Sequence, residues 1–296
     1  MTGHGAEGTV TVHSQGGLGN QLFIYATGLA AARRAGVQLR VDTSLHSRDP
    51  GRPFLLQALG LPAVYVDLSA THRPDRRLLR KALGGSIPPA SCTYREPSFR
   101  YDPAALQQSV GGCMFGYFQS WRYLEPVAIE IRELLTGVQR RLQGPALAEV
   151  VARVSTPGAV VLHVRRGDYL GPNALRFHGL AGLSFYARAV EVLVRLGFNG
   201  PVLVFSDDVE ASLEELAPLS PASAVGSCRL SPAAEILAMS AASSLVTANS
   251  SFSWWGAWAG ERPGRPVLAP RPWFDAAEHD DRDLLPASWL SLGRDL

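Results

Sequence analysis

The second half of the chain alternates strand and helix patterns, and this alternation constrains the fold more than any other feature. Short apolar runs are followed repeatedly by stretches whose apolar residues recur at helical spacing. Strands that alternate with helices form a parallel, doubly wound sheet, because each helix returns the chain across the face of the sheet. The predicted strands are 159–164, 201–205, 245–248 and 266–269. One predicted helix has Ser184 as its N-cap, and two others begin at Val209 and at Pro232.

The chain opens with a second pattern of the same kind. Residues 9–14 alternate and are rich in β-branched side chains, residues 16–19 read Gly-Gly-Leu-Gly, and a helical pattern follows. Residues 38–43 are typical of the next strand, which completes a β-α-β opening. Residues 49–103 are rich in proline and arginine and show no clear order of elements. A strand over 112–120 and helices over 124–142 and 146–154 are also predicted.

A polar linker separates the two halves. Residues 155–158 read Ser-Thr-Pro-Gly and stand between a helical pattern and a new strand. A chain of 296 residues exceeds the usual size of one domain. We therefore predict an N-terminal α/β domain over residues 1–156 and a C-terminal Rossmann-like domain over residues 157–296. Ligands of such sheets bind at the carboxyl ends of the strands, so a cleft between the domains is the expected site.

Composition excludes several classes of function. The 28 Lys+Arg and 26 Asp+Glu residues give a formal net charge of +2, which argues against nucleic acid as a partner. No apolar run reaches the roughly 20 residues of a membrane span, and the first ten residues do not resemble a secretory signal. Three widely spaced cysteines favour neither a disulfide framework nor a zinc site. We expect a cytoplasmic protein, and the sequence leaves peripheral association with the inner face of a membrane open.

The glycine turn is the first candidate site. Gly17 and Gly19 allow a ligand to approach the backbone closely, and the helix N-terminus that follows offers unpaired N–H groups to an anion. The pattern matches neither the dinucleotide fingerprint nor a P-loop. An ordinary tight turn between a strand and a helix explains the glycines equally well.

Two adjacent arginines leave a buried strand in the sequence His-Val-Arg-Arg-Gly-Asp-Tyr at residues 163–169. Such residues are costly to bury unless they meet an anion. Alternation places His163 and Arg165 on one face of the chain and Arg166 on the other. An oxyanion or phosphate site is one interpretation, and a local ion cluster with Asp168 is the other.

Two acids follow the strand at 201–205. Asp207 and Asp208 either contact a ligand or cap the helix that begins at Val209. Their adjacency does not fit an Asp-x-Asp metal element, and none of the seven histidines forms an HxxxH pair. No metal site is therefore predicted.

A polar stretch leads into an aromatic helix near the end of the chain. Ser250 or Ser251, both of which follow Asn249, is expected at the N-cap, where the helix N-terminus offers a second anion-binding position. Phe252 is suited to stacking on a base. The tryptophans at 254, 255 and 258 are predicted to pack in the core rather than to contact a ligand.

Together these motifs resemble the α-1,2-fucosyltransferase family, glycosyltransferase family 11. They occur in the family's order and spread over about 260 residues. The chain departs from the family pattern at Ile24, Glu235 and Ala242, where Gln, Asp and Cys are usual. The matching elements are GGLGNQLFIYA at 16–26, GYFQSWRYL at 116–124, HVRRGDY at 163–169, FSDD at 205–208, EILAMS at 235–240, NSSFSWWGAW at 249–258 and APRPWF at 269–274.

The resemblance implies a GT-B-like α/β fold with two Rossmann-like, doubly wound parallel-sheet domains that face a cleft. It also implies metal-independent, inverting transfer of L-fucose from GDP-β-L-fucose to the 2-hydroxyl of a galactoside. The donor domain is then the C-terminal one, and the N-terminal domain carries the acceptor side. No cofactor is implied, because GDP-fucose is the donor substrate and a galactose-containing glycan is the acceptor.

The resemblance further assigns roles to single residues. Arg165, with Arg166 as the alternative, is expected to balance the charge that develops on the β-phosphate, because a guanidinium does so without changing protonation. Asn20 is expected near the fucose and the phosphates. The expected catalytic residues are Arg165, Asn20 and Asp168, and the expected donor-binding residues are Gly17, Gly19, His163, Arg166, Asp207, Asn249, Ser250, Ser251 and Phe252.

The general base is not assigned by the sequence. Asp168, His13 and Glu125 are candidates, but a base must lie within hydrogen-bond reach of the acceptor hydroxyl. Two other functions stay open: a fucosyltransferase of another linkage or acceptor, and a non-catalytic nucleotide-sugar-binding or lectin-like protein. The two adjacent arginines argue against a lectin, which has no phosphate to bind.

Overall fold

The computed structural model describes residues 8–69, 93–167, 179–219, 222–225, 230–276 and 279–294. The chain divides into two compact units, Met1–Ile131 and Arg132–Leu296. Each unit is built on a sheet whose described strands are all parallel. The predicted α/β class with two Rossmann-like sheets is therefore confirmed.

The first unit contains a five-stranded sheet with the order β3-β2-β1-β5-β4. The helix α1 (Leu18–Ala35) connects β1 to β2 and is buried along most of its length. A Cβ atom on Gly28 would lie 2.5 Å from Val12, so this glycine allows α1 to pack closely against β1. The strands are β1 (Thr9–His13), β2 (Gln38–Asp42), β3 (Val64–Val66), β4 (Tyr94–Arg95) and β5 (Cys113–Phe115).

The second unit contains a six-stranded sheet with the order β11-β10-β9-β6-β7-β8. Its strands are β6 (Val160–Val164), β7 (Val202–Ser206), β8 (Ala222–Ala224), β9 (Leu245–Val246), β10 (Val267–Arg271) and β11 (Leu290–Gly293). The strand order reverses at β6, which has β7 on one side and β9 on the other. In doubly wound sheets a ligand crevice forms at such a reversal.

Helices connect these strands and close the core. The helix α2 (Ala128–Arg141) contains the boundary between the units. The helix between β6 and β7 packs Phe185, Ala189 and Leu193 against Leu162 and Val164 of β6. The remaining helices of the described residues are α2 (Ala128–Arg141), α3 (Pro145–Val154), α4 (Leu183–Arg195), α5 (Val209–Glu215), α6 (Pro232–Ala241) and α7 (Ser251–Ala259). Short 3-10 turns cover His46–Arg48, Gln57–Leu59, Pro103–Leu106, Trp121–Tyr123, Glu125–Val127 and Ala217–Leu219.

Three features differ from the sequence-based expectations. The N-cap of α4 is Gly182 rather than Ser184, which lies in the first turn. The strand expected over 112–120 ends at Phe115. The second compact unit begins before α3 rather than at residue 157, because α3 packs against α6 and the Ser243 N–H donates to the Val154 carbonyl at 2.9 Å. No helix among the described residues is both long and apolar enough to cross a bilayer.

Candidate active site

A cavity of about 590 Å³ lies in the second unit, where β6 and β7 end. The N-terminal turns of α5, α6 and α7 also contribute to its walls. This is the reversal point of the sheet, so the cavity occupies the place where a doubly wound fold binds ligands. Its lining residues are His163, Arg165, Gly167, Ser206, Asp207, Asp208, Val209, Glu210, Pro232, Glu235 and Phe252.

Arg165 is held at the wall of this cavity by Asp207. The Arg165 Nη1 lies 3.1 Å from the Asp207 Oδ2, and the two side chains are 22% and 26% exposed. The Asp207 Oδ1 also accepts the Arg166 N–H at 2.9 Å. A Cβ atom on Gly167 would lie 2.4 Å from the Asp207 carboxylate, so glycine permits this close approach. One carboxylate therefore fixes both the backbone at Arg166 and the guanidinium of Arg165.

Arg166 faces away from the cavity, as the alternation predicts. Its side chain is buried and forms an ion pair with Glu215 at the end of α5. Its Nη1 donates to the Ala181 carbonyl at 3.2 Å. The structure does not bring Arg166 into the lining, so the two adjacent arginines have different surroundings. The ion cluster with Asp168 lies outside the described residues, and the described acids that pair with the two arginines are Asp207 and Glu215.

His163 and Phe252 form an aromatic wall of the cavity. Their ring centroids are 5.8 Å apart, and the planes are tilted by 37°. Burial lowers the pKa of His163 to about 3, and the charge of Arg165 acts in the same direction, so the imidazole is neutral near pH 7. The buried Nδ1 of His163 has no hydrogen-bond partner among the described residues. This wall suits a planar ligand with hydrogen-bonding groups.

The acids around the cavity differ in their contacts. The Asp208 carboxylate accepts the Ala211 N–H at 3.2 Å and caps α5, which confirms the capping interpretation for this residue. Glu235 lies in the first turns of α6, and burial raises its pKa to about 7, with Asp207 adding to the effect. Glu235 was not among the expected site residues, although its departure from the family pattern marked the position. No metal-binding group of three or more His, Cys, Asp or Glu is found in the described residues.

The polar residues before α7 have two different roles: Ser250 caps the helix, and Asn249 bonds backbone carbonyls. Ser250 is the N-cap of α7 and accepts the Phe252 N–H at 3.3 Å. The sequence leaves Ser250 and Ser251 as alternatives for this cap. Asn249 is buried and donates to the carbonyls of Gly179 and Trp273, both at 3.2 Å. Asn249, Ser250 and Ser251 are not part of the cavity lining, whereas Phe252 is. The three tryptophans are buried, so their prediction as core residues is confirmed.

The predicted residues of the glycine turn lie in the first unit. Gly17 is the N-cap of α1, and Gly19 is a buried residue of the first helical turn. The residue that adopts a left-handed conformation is Gly16, with φ of 72°. Asn20 follows in the same turn, and its Oδ1 accepts a hydrogen bond from the Gln119 Nε2 at 2.7 Å. Asp168, expected to be catalytic, lies outside the described residues.

His13, a candidate base, is enclosed in the first unit. Its Nδ1 lies 2.7 Å from the Asp42 Oδ2, and its Nε2 lies 3.0 Å from the Cys113 Sγ. Burial raises the pKa of Asp42, but the hydrogen bonds from His13, Leu68 and Ser44 outweigh it and lower the pKa below its usual value. Only 1% of the His13 surface is exposed. Glu125 begins a 3-10 turn on the surface, and the general base stays unassigned.

Comparisons with known proteins agree on one family. The family model of glycosyl transferase family 11 matches residues 104–292. An alpha-1,2-colitosyltransferase of Escherichia coli is 28% identical over 96% of this chain and 98% of its own length. The O-antigen biosynthesis glycosyltransferase WbnK of the same organism is 28% identical over 94% of this chain and 98% of its own. Galactoside alpha-(1,2)-fucosyltransferase 1 of Bos taurus is 27% identical over 68% of this chain and 51% of its own.

Proposed function

Because the chain belongs to glycosyl transferase family 11, we propose that it transfers L-fucose from GDP-β-L-fucose to the 2-hydroxyl of a terminal galactose with inversion at the anomeric carbon. Glycosyl transfer is the activity of the family, and the donor, acceptor and linkage are the proposal. The Arg165 guanidinium, held by Asp207 at the wall of the second-unit cavity, is the observation that carries it.

The chemistry explains why this guanidinium matters. When the bond between the anomeric carbon and the β-phosphate oxygen breaks, the electron pair stays on the oxygen and the leaving diphosphate gains negative charge. A preorganised cation next to that oxygen stabilises the transition state more than the ground state. Arg165 offers such a cation, and its guanidinium forms two parallel hydrogen bonds to a phosphate where a lysine forms only a point contact.

The other lining residues suit the remaining parts of the donor. Phe252 offers an aromatic face on which a base can stack, and the neutral His163 ring lies beside it with the ring centroids 5.8 Å apart. Asn20 is proposed to contact the sugar or the phosphates, and the acceptor is proposed to be a galactose-containing glycan. We propose that no metal is needed, because Arg165 supplies the positive charge that a divalent cation would otherwise provide.

Transfer of a colitosyl group is the second candidate. The similarity to the alpha-1,2-colitosyltransferase extends over 96% of this chain, whereas that to the mammalian fucosyltransferase extends over 68%. Glu235 lines the cavity at a position where the family usually has Asp. This difference is a second reason to compare fucosyl and colitosyl donors. The names of the two relatives share the alpha-1,2 linkage and differ in the sugar transferred.

A rate assay with matched acceptors tests the proposal. We expect GDP release from GDP-fucose to depend on lactose and to stop with 2′-deoxylactose, which lacks the acceptor hydroxyl. A faster rate with a GDP-linked colitosyl donor would favour the second candidate. A chelator should leave the rate unchanged, and strict dependence on added Mg²⁺ or Mn²⁺ would contradict the metal-free mechanism. Binding of GDP-fucose without turnover on any galactoside would instead indicate a binding protein.

A further inference from the structure

Glu96 is a carboxylate of the first unit that the mechanism above does not use. It follows β4, and its backbone N–H donates to the Phe115 carbonyl at 2.9 Å. Its Oε2 accepts the Tyr117 N–H at 2.6 Å, and both oxygens lie 3.0 Å from the Phe118 nitrogen. The carboxylate therefore binds two consecutive N–H groups of the turn that follows β5.

This turn contains the one non-glycine residue with positive φ among the described residues. Phe118 has a φ of 54°, a conformation that costs a side-chain-bearing residue of order 1 kcal/mol or more and persists only where the surroundings impose it. The Phe118 ring is fully buried and packs edge-on against Tyr123, with centroids 5.8 Å apart. The ring fixes the side chain of Phe118, and Glu96 fixes its backbone.

Gln119 comes next and connects the turn to α1. Its Nε2 donates to the Asn20 Oδ1 at 2.7 Å, and only 9% of Gln119 is exposed. The Asn20 side chain has no other hydrogen bond to the described residues. The direction of the Asn20 amino group is therefore set by Gln119, whose backbone position depends on the conformation of Phe118.

We propose that Glu96 is a positioning residue that orients the Asn20 carboxamide through the turn 117–119. The proposal rests on the proposed function, in which Asn20 contacts the donor. Burial raises the pKa of Glu96 to about 7, although the N–H groups of Phe118 and Tyr117 lower it. The two N–H groups of the turn thus offset part of the cost of burying this carboxylate.

A double-mutant cycle tests this chain of contacts. We expect Glu96→Gln, which keeps the size of the side chain but loses one acceptor oxygen, to lower kcat by about tenfold with little change in the acceptor KM. We expect Asn20→Ala to lower kcat at least as much, and the double variant to equal Asn20→Ala alone. Asp67 is the matched control, because it is an exposed carboxylate of the same unit that accepts a backbone N–H, that of Ser69 at 2.8 Å. The effects of Asp67→Asn and Asn20→Ala on kcat should multiply.

NMR spectroscopy of the Asn20 side chain tests the role of Glu96 independently of transfer activity. The side-chain NH₂ resonances of Asn20 in the labelled full chain should shift in Glu96→Gln as they do in Gln119→Ala, and stay in place in Asp67→Asn. If Glu96→Gln does not fold, Glu96→Asp retains the charge but shortens the reach and serves in its place. Unchanged Asn20 resonances, multiplicative effects in the cycle or wild-type rates for Asn20→Ala overturn the proposal. Absence of fucosyl transfer by the wild-type chain overturns the proposed function. In that case the NMR shifts of Asn20 alone still test whether Glu96 orients its side chain.

Discussion

Arginine side chains occur both in the lining of the cavity and in the buried interior of the second unit. All but one of the 28 basic residues of the chain are arginines, so the residue type by itself says little about function. Position decides the role. Arg165 lines the cavity with 22% of its side chain exposed, whereas Arg166 is buried against Glu215 and the Ala181 carbonyl. The alternation of a strand predicts this division, because neighbouring residues leave opposite faces.

Replacement of Arg165 should slow the transfer reaction. Arg165→Ala should lower turnover by roughly 100-fold or more, the loss typical when one donor to a developing charge is removed. Arg165→Lys should recover only part of it, because an ammonium group cannot form the paired contacts of a guanidinium. Initial rates of GDP release at saturating donor and acceptor provide the measurement.

The control for this prediction is an arginine without contact to the cavity. Arg195 is mostly exposed and pairs with Glu191 one helical turn away on α4. Arg195→Lys should therefore leave the rate unchanged. A rate within a few-fold of the wild type for Arg165→Ala would show that this residue does not stabilise the leaving group.

The site is only partly predictable from the residues. Arg165, His163, Asp207 and Phe252 stand at the ends of predicted strands and line the cavity. Asn249 stands at such an end too, but its amide is used to hold two loop carbonyls that are distant in sequence. Such partners are set by tertiary structure, so a motif names the residues near a site without saying which of them face it.

At the scale of elements, periodic patterns predict the long strands and helices. They do not predict β3, β4, β8 or β11. The strand β4 has two residues and exists because Tyr94 and Arg95 pair with Met114 and Phe115 of β5. So short a segment carries no period of its own, and its neighbours in the sheet define it.

Helix ends show the same dependence on distant partners. Arg265 is buried and donates to three carbonyls, those of Met239 and Ala242 at the end of α6 and that of Ala257 in the last turn of α7, at 2.7 to 2.8 Å. Burial lowers the pKa of Arg265 to about 9, with Arg262 adding to the effect, so the residue stays charged at neutral pH. One guanidinium thereby satisfies carbonyls that helix ends leave without partners.

Replacement of Arg265 should destabilise the second unit. A lysine has no fork with which to reach three carbonyls, and buried polar atoms left without partners cost about 1–3 kcal/mol each. We expect Arg265→Lys to lower the free energy of unfolding by about 2 kcal/mol or more in urea titrations. Arg195→Lys is again the control, with little change because exposed ion pairs contribute about 1 kcal/mol at most. Equal stability of the two variants would contradict the role of Arg265.

At the scale of the whole molecule, the sequence predicts two parallel α/β sheets and the structure confirms them. The boundary between the compact units lies within α2, before the linker that composition marks at 155–158. A linker pattern marks residues that favour a bend in the backbone. The helix α3 belongs to the second unit because it packs against α6. The family match covers residues 104–292 and so includes the whole cavity of the second unit.

The linkage of the product distinguishes α-1,2-fucosyl transfer from the other possible reactions of this chain. Incubation with GDP-fucose and lactose should yield a trisaccharide whose two-dimensional NMR spectrum shows an α-fucosyl anomeric signal correlated with C2 of galactose. That result follows from inverting transfer of a β-linked donor to the 2-hydroxyl. A correlation to another galactose carbon, a β-fucosyl product or no trisaccharide at all would contradict the proposal that this chain is a galactoside α-1,2-fucosyltransferase.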